Sequence, residues 1–330
     1  MLFVYFEGLI KSSIIARSNK IPTKFVTIEL KFVFICLYLS FLSDILLMEV
    51  IINFMINDNK DMKNNKPKIA LVLGSGGNKG FAYIGVIRAL EEAGFVPDII
   101  VGSSMGAIIG ACYALGVGVD EMEKRVLELS TGQLLDIKIP NAYGFIKGDR
   151  AEKIIRSFLK EKDKQWKFSD CKIPFGCVAA DLSTAKVVNL TKGDLLKSVR
   201  ASFSINGVFR PVKIGKRNLT DGGILCRVPV DLAKKMGADF VLAVDCVGVT
   251  QYAEVEKNKY IDTIARIFTI MDYEVSKNEI SRADYLISLE QPNISMIRVC
   301  NVDESIRIGY ETTKAQIDKI MKAIKDAGVK

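Results

Sequence analysis

The chain has no histidine among its 330 residues, and this absence excludes more chemistry than any other feature of its composition. Without imidazole, neither a Ser-His-Asp triad nor a histidine-ligated metal centre can form. The seven cysteines are odd in number, scattered along the chain and never spaced as Cys-x-x-Cys. Such a pattern argues against a disulfide framework or a zinc ribbon and favours a reducing compartment such as the cytoplasm.

Long runs of a single charge are also missing. The net charge is +8, but basic and acidic residues alternate along the chain and no dense basic stretch is present. A nucleic-acid-binding surface usually needs such a stretch, so we expect no nucleic-acid partner. With 49% hydrophobic and 25% charged residues, the composition is typical of a folded protein with a sizeable core.

Residues 1–66 differ in composition from the rest of the chain. The apolar run 32–42 is followed closely by Asp44, so a clean membrane span of about 20 residues does not fit. A cleaved secretory signal is disfavoured because no small-residue cleavage site follows the run. Two interpretations stay open: residues 1–66 anchor the protein to a membrane, or translation begins downstream. The candidate downstream starts are Met48, Met55 and Met62.

From residue 67 onward the pattern is that of an α/β domain. The apolar run 69–73 stops at a glycine turn and is followed by helical spacing, and the run 99–101 repeats this order. Strand, glycine turn and helix in succession predict a parallel sheet with helices packed on it. Further strands are predicted at 175–180, 186–190, 240–245 and 285–289, with a long helix at 260–280. We expect one domain over 67–330 that ends in a helical extension.

The first motif is the G-x-S-x-G stretch from Gly102 to Gly106, with Ser104 at its centre. It lies between a predicted strand and a predicted helix, which is the setting of a nucleophile elbow. Small neighbours allow the Ser104 hydroxyl to project from a strained turn. The alternative is an ordinary glycine-rich connection in which the serine only caps the helix.

The second motif is the glycine turn 74–80. Its glycine spacing also fits a dinucleotide-binding turn, but the next strand does not end in an acidic residue that could hold a ribose. A Walker A loop is excluded because Lys79 precedes Gly80 instead of following it. The other interpretation is that consecutive backbone amides in this turn bind an oxyanion during acyl transfer.

The third motif is Asp221-Gly222-Gly223. Alone it would indicate a simple turn. Because the chain has no histidine, a carboxylate held directly against the Ser104 hydroxyl is one of the few bases left to accept its proton. Only Asp221 is followed by paired glycines that allow close approach. The competing carboxylates are Asp98, Asp181 and Asp245.

Together these ordered motifs resemble the patatin-like phospholipase family, and the stretch 201–212 resembles a family segment that precedes the base. The resemblance covers roughly 68–245 and implies a three-layer α/β/α fold with a mainly parallel central sheet. It also implies a Ser-Asp dyad. Carried onto this sequence, Ser104 is the nucleophile, Asp221 is the general base, and the amides of Gly76 and Gly77 hold the oxyanion with help from Lys79. Gly102, Gly106, Gly222 and Gly223 complete the motifs.

The chain departs from the family pattern at two positions. Ser75 stands where the first of three glycines is usual, and Asn206 replaces a common proline. The resemblance implies hydrolysis of lipid acyl esters through an acyl-enzyme, transient contact with a membrane surface, and no metal or organic cofactor. Two other classes stay open, a nucleotide-binding module and a non-catalytic membrane-associated protein.

Overall fold

The computed structural model describes residues 67–130, 156, 158, 164–205, 209–248, 259–294, 296 and 300–328. The chain divides into two units, 1–65 and 66–330, and all of the described residues belong to the second. The predicted N-terminal segment 1–66 therefore lies outside the described residues. Within the described ranges, no helix combines the length and the apolar character needed to cross a membrane.

A single sheet of eight strands forms the centre of the domain, in the order β5-β6-β3-β2-β1-β7-β8 with β4 paired to β3. The strands β3, β2, β1, β7 and β8 run parallel to one another, whereas β4 and β6 pair antiparallel with β3 and β5 pairs antiparallel with β6. The strands are β1 Ile69–Leu73, β2 Ile99–Ser103, β3 Phe175–Asp181, β4 Lys186–Leu190, β5 Val212–Ile214, β6 Arg217–Asp221, β7 Phe240–Asp245 and β8 Tyr285–Ser288. The prediction of a mainly parallel sheet is confirmed.

The central strands are uniformly apolar because both of their faces are covered. Every residue of β1 is buried, and alternate side chains enter two different clusters. Leu71 and Leu73 belong to the core on one face of the sheet, whereas Ala70 and Val72 belong to the core on the other. A strand covered on both faces reads as a continuous hydrophobic run, which is the pattern seen in the sequence.

Helices form the two outer layers. They are α1 Ala82–Glu92, α2 Met105–Ala114, α3 Val119–Ser130, α4 Leu195–Ser202, α5 Val230–Lys235, α6 Lys259–Ile280, α7 Val302–Lys314 and α8 Ile317–Asp326. Residues of α1, α2, α3, α4, α7 and α8 enter the first core, and residues of α5 and α6 enter the second. The three-layer α/β/α arrangement is confirmed, with the long predicted helix observed as α6.

Helix α7 packs closely on α1, the helix that follows the glycine turn. A Cβ atom on Gly85 would lie 2.0 Å from the carbonyl oxygen of Ile306, and one on Gly309 would lie 2.0 Å from that of Ala82. Glycine at both positions therefore lets the two helix backbones touch. The C-terminal helices thus form part of the layer that covers the sheet beside this turn.

Candidate active site

The site forms where two strands approach each other along one edge of β3. Because β4 occupies the other edge over residues 177–181, β2 and β6 must share the remaining one. Ser103, the last residue of β2, pairs with Val178, and Asp221, the last residue of β6, pairs with the next residue, Ala179. Since β2 is parallel to β3 and β6 is antiparallel, the two strands run towards each other. Their ends therefore meet.

Ser104 lies at the sharp turn between β2 and α2, with φ 52° and ψ −118°. This conformation is strained for a residue with a side chain. The turn is tight enough to require small neighbours: a Cβ on Gly102 would lie 2.4 Å from the Gly106 carbonyl oxygen, and one on Gly106 would lie 2.2 Å from that of Leu73. The backbone amide of Ser104 donates to Ser202 Oγ at 3.0 Å, which holds the turn.

The Ser104 hydroxyl donates a hydrogen bond to Asp221 Oδ2 at 2.6 Å. The second carboxylate oxygen, Oδ1, accepts from the backbone amide of Gly223 at 2.8 Å. Only 2% of Ser104 and 6% of Asp221 are exposed. Burial raises the pKa of Asp221 from 3.8 to about 6, against the opposing effect of the two hydrogen bonds. The carboxylate is thus ionised at neutral pH and is a better base than an exposed aspartate.

The two glycines after Asp221 are required by close packing. A Cβ on Gly222 would lie 2.4 Å from the carbonyl oxygen of Val178, and one on Gly223 would lie 2.4 Å from Ser75 Oγ. The paired glycines allow the carboxylate to approach the elbow, and they bring the turn after β1 beside the dyad.

The turn after β1 is held by its first two residues. The amide of Gly74 donates to the Val244 carbonyl at 3.0 Å, and that of Ser75 donates to the Arg227 carbonyl at 2.7 Å. Gly77 has φ 54°, a value that favours glycine. Among the described residues, the amides of Gly76 and Gly77 have no hydrogen-bond acceptor. This turn can therefore present two free donors to an anion.

Lys79 belongs to the same turn. Its amide donates to the Gly76 carbonyl at 3.1 Å. Its own carbonyl accepts from Gln291 Nε2 at 3.0 Å and from Ser305 Oγ at 3.2 Å. These contacts hold the backbone of Lys79 between β8 and α7.

The three competing carboxylates have other partners. Asp98 accepts from the amide of Ile69 at 2.9 Å, at the N-terminal ends of β1 and β2 and therefore at the other end of the strands from Ser104. Asp181 accepts from the amide of Ser183 at 3.0 Å and stabilises the turn after β3. Asp245 accepts from Arg227 Nη2 at 2.8 Å. Of the four candidate carboxylates, Asp221 is the one that contacts Ser104.

Two supporting serines were missed by the sequence reasoning, although both lie in the segment 201–212 noted for its resemblance. Ser202 accepts from the Ser104 amide, as described above. The Ser204 carbonyl accepts from the amide of Asp221 at 3.0 Å and from Thr220 Oγ1 at 2.9 Å. The segment thus contacts the backbones of both Ser104 and Asp221, and no spacing in the sequence indicates this. Asn206 lies outside the described residues.

Residues 71–234 match the protein family described as Patatin-like phospholipase. An uncharacterized NTE family protein of Mycobacterium tuberculosis is 37% identical over 187 residues, 56% of this chain and 51% of that protein. Lysophospholipase nte1 of Aspergillus fumigatus is 34% identical over 180 residues, 54% of this chain and 12% of that protein. The chain thus spans about half the length of the first relative and a small part of the second.

The crystal structure of VipD from Legionella pneumophila has a similar fold. The TM-score is 0.55 at 15% sequence identity, and the match covers 77% of this chain and 67% of VipD. VipD thus shares the fold, and the match over residues 71–234, about half of the chain, shows that this part of the protein belongs to the patatin-like phospholipase family.

Proposed function

We propose that the protein is a lipid acyl hydrolase in which Ser104 is the nucleophile and Asp221 the general base. The observation that carries this proposal is the 2.6 Å hydrogen bond between the two buried side chains, in a chain without histidine. A serine hydroxyl is a weak nucleophile until an adjacent base accepts its proton. The pKa of Asp221, about 6, suits that role near neutral pH.

The lipid substrate class is supported by family membership. The matching family is described as Patatin-like phospholipase, and one relative is named a lysophospholipase. An acyl ester of a lipid, such as a phospholipid or lysophospholipid, is therefore the proposed substrate. The reaction needs no cofactor in this scheme, because the dyad supplies the nucleophile and the base and water is the second reactant.

In the acylation step, Ser104 Oγ attacks the ester carbonyl carbon while its proton passes to Asp221. The tetrahedral intermediate carries an oxyanion, which the amides of Gly76 and Gly77 stabilise together with the N-terminus of α2. Lys79 adds positive charge to the same turn. When the intermediate collapses, the bond to the alcohol breaks and Asp221 returns the proton to the leaving alkoxide. The acyl group stays on Ser104.

In the deacylation step, water attacks the acyl-enzyme and gives its proton to Asp221. The bond to Ser104 then breaks, the proton passes from Asp221 to Ser104 Oγ, and a free fatty acid is released. Both steps pass through an oxyanion at the same place. Removal of one donor from such a site typically lowers the rate about 100- to 1000-fold.

Contact with a lipid surface is part of the proposal. One face of α6 carries large exposed apolar side chains with the spacing of a helix face: Ile267, Ile270, Met271 and Val275. The same helix contacts the chain just after the dyad glycines, since Ser276 Oγ accepts from the amide of Arg227 at 2.9 Å. We propose that the exposed apolar face of α6 rests transiently on the membrane that supplies the substrate, from the cytoplasmic side.

A fluorophosphonate probe tests the nucleophile directly. We expect one covalent adduct on Ser104, found by mass spectrometry of the labelled protein, and no adduct in Ser104→Ala. The matched control is Ser103→Ala, because Ser103 lies next to the nucleophile but donates to the Cys226 carbonyl at 3.0 Å. Absence of labelling in folded wild-type protein would overturn the proposal. Flotation of the protein with phospholipid vesicles tests the surface contact separately.

A further inference from the structure

Ser75 is the residue at which the glycine turn departs from the family pattern, and its side chain lies beside the two glycines that follow Asp221. The residue is nine-tenths buried, with 9% of its surface exposed. Its backbone amide is bound to the Arg227 carbonyl, but its hydroxyl has no hydrogen-bond partner within the part of the chain that the structure describes. Because the oxygen itself is not fully enclosed, the hydroxyl can take a water molecule or a ligand as its partner.

The Ser75 hydroxyl lies beside the general base. Its Oγ is 2.4 Å from the position that a Cβ on Gly223 would take, and Asp221 Oδ1 is 3.0 Å from the same position. The hydroxyl and the carboxylate therefore lie on the same side of Gly223. Because both oxygens are so close to one point, a single water molecule with two ordinary hydrogen bonds can span them.

We propose that Ser75 and Asp221 together hold the water molecule that hydrolyses the acyl-enzyme. This inference rests on the proposed function. The water donates one O–H to the Asp221 carboxylate and the other to Ser75 Oγ, so that a lone pair of its oxygen is left for the acyl carbonyl. As the new C–O bond forms, the first proton passes to Asp221. The ester bond to Ser104 then breaks, and Asp221 passes that proton to Ser104 Oγ.

Ser75 thus positions the water for deacylation and takes no part in acylation. In a two-step reaction, slower deacylation lowers kcat and KM together and leaves kcat/KM unchanged. Loss of one hydrogen bond to the water corresponds to an effect of up to about tenfold. The burst of alcohol released before the steady state should become clearer, because the acyl-enzyme accumulates.

The experiment compares Ser75→Gly, Ser75→Ala and Ser75→Thr in stopped-flow hydrolysis of a p-nitrophenyl acyl ester. For the glycine and alanine variants we expect kcat to fall about tenfold, kcat/KM to stay within twofold of wild type, and the burst to grow. The threonine variant keeps the hydroxyl and should recover part of the deacylation rate. The substitutions by glycine and alanine only remove atoms from the turn, so each variant is expected to fold and to give a valid test.

The matched control is Ser198→Ala. Ser198 is also a buried serine, but its hydroxyl donates to the Asp194 carbonyl at 2.7 Å within α4. We expect its kcat and KM to match the wild type. Unchanged deacylation in Ser75→Gly, or a fall in kcat/KM with KM unaltered, would overturn the inference. A failure of fluorophosphonate labelling at Ser104 would instead overturn the proposed function, so the two failures are distinguishable.

Discussion

Two buried aspartates end two strands of the same sheet, and their surroundings are opposite. Asp245, the last residue of β7, accepts from the guanidinium of Arg227 at 2.8 Å, and both side chains are almost completely buried. Asp221, the last residue of β6, accepts only from a hydroxyl and an amide, and no cation lies within ion-pair distance of it among the described residues. One charge is neutralised by a cation and the other is not.

The difference separates a carboxylate that is held in an ion pair from the one proposed to act as the base. In the ion pair of Arg227 and Asp245, each charge offsets the desolvation of the other. At Asp221 the desolvation is only partly offset, and burial raises its pKa. The charged form of Asp221 therefore lowers the stability of the fold, and the same effect gives the carboxylate the basicity that its proposed role towards Ser104 requires.

The two regions are also connected. The Arg227 carbonyl accepts from the amide of Ser75 at 2.7 Å, and the Val244 carbonyl accepts from the amide of Gly74 at 3.0 Å. The compensated ion pair thus supports the glycine turn that lies beside the dyad. The ion pair at the end of β7 is thus linked through two backbone hydrogen bonds to the turn that lies beside Asp221.

The largest expected effect comes from Asp221→Asn. The amide cannot accept the Ser104 proton, so we expect ester hydrolysis to fall about 10²- to 10⁴-fold. The uncharged side chain removes the desolvation penalty, and the variant should be more stable than the wild type at pH 8. Turnover and the melting temperature are measured on the same samples. A variant that keeps near-wild-type turnover would contradict the assignment of Asp221 as the base.

The corresponding change on the other strand, Asp245→Asn, should have the opposite effect on stability. It leaves the buried Arg227 guanidinium without its carboxylate, and breaking a buried pair in this way costs about 3 to 5 kcal/mol. The free energy of unfolding is measured by chemical denaturation at neutral pH. Replacement of both partners by apolar residues should recover part of the loss. Equal stability of Asp245→Asn and the wild type would contradict the view that the ion pair of Asp245 with Arg227 stabilises the fold.

The smallest expected effect is the pH dependence of activity and of stability that follows from the titration of Asp221. Protonation removes the base, so kcat/KM should fall about tenfold per pH unit below pH 6. The folded pKa, about 6, is above the ordinary value of 3.8. The protonated group therefore contributes stability that is fully present below pH 3.8 and is lost as the pH rises through 6. The total is on the order of 3 kcal/mol.

Unfolding curves of wild type and Asp221→Asn between pH 3 and pH 8 isolate this contribution. The difference in unfolding free energy between the two proteins should grow with pH across the window and then level off. A difference that is independent of pH would mean that burial does not raise the pKa of Asp221.

Much of the fold could be predicted from local patterns. The strands β1, β4 and β7 were predicted with their observed bounds, because a strand shows in the sequence as an apolar or alternating run bounded by turns. The hairpin of β5 and β6 was not predicted. These strands have only 3 and 5 residues and a polar composition, so their pairing depends on contact with β3. The missed hairpin is the element that carries Asp221.

The amino-acid sequence alone excludes histidine chemistry. It also indicates the serine turn, the glycine turn and a carboxylate followed by paired glycines, because tight turns and close packing require small residues at fixed positions in the sequence. The contact of Ser104 with Asp221, across a separation of 117 residues, requires the assembled sheet. Only when β2 and β6 meet along one edge of β3 do the hydroxyl and the carboxylate share a site. The raised pKa of Asp221 arises at the same point, because desolvation is a property of the packed surroundings and no single residue carries it.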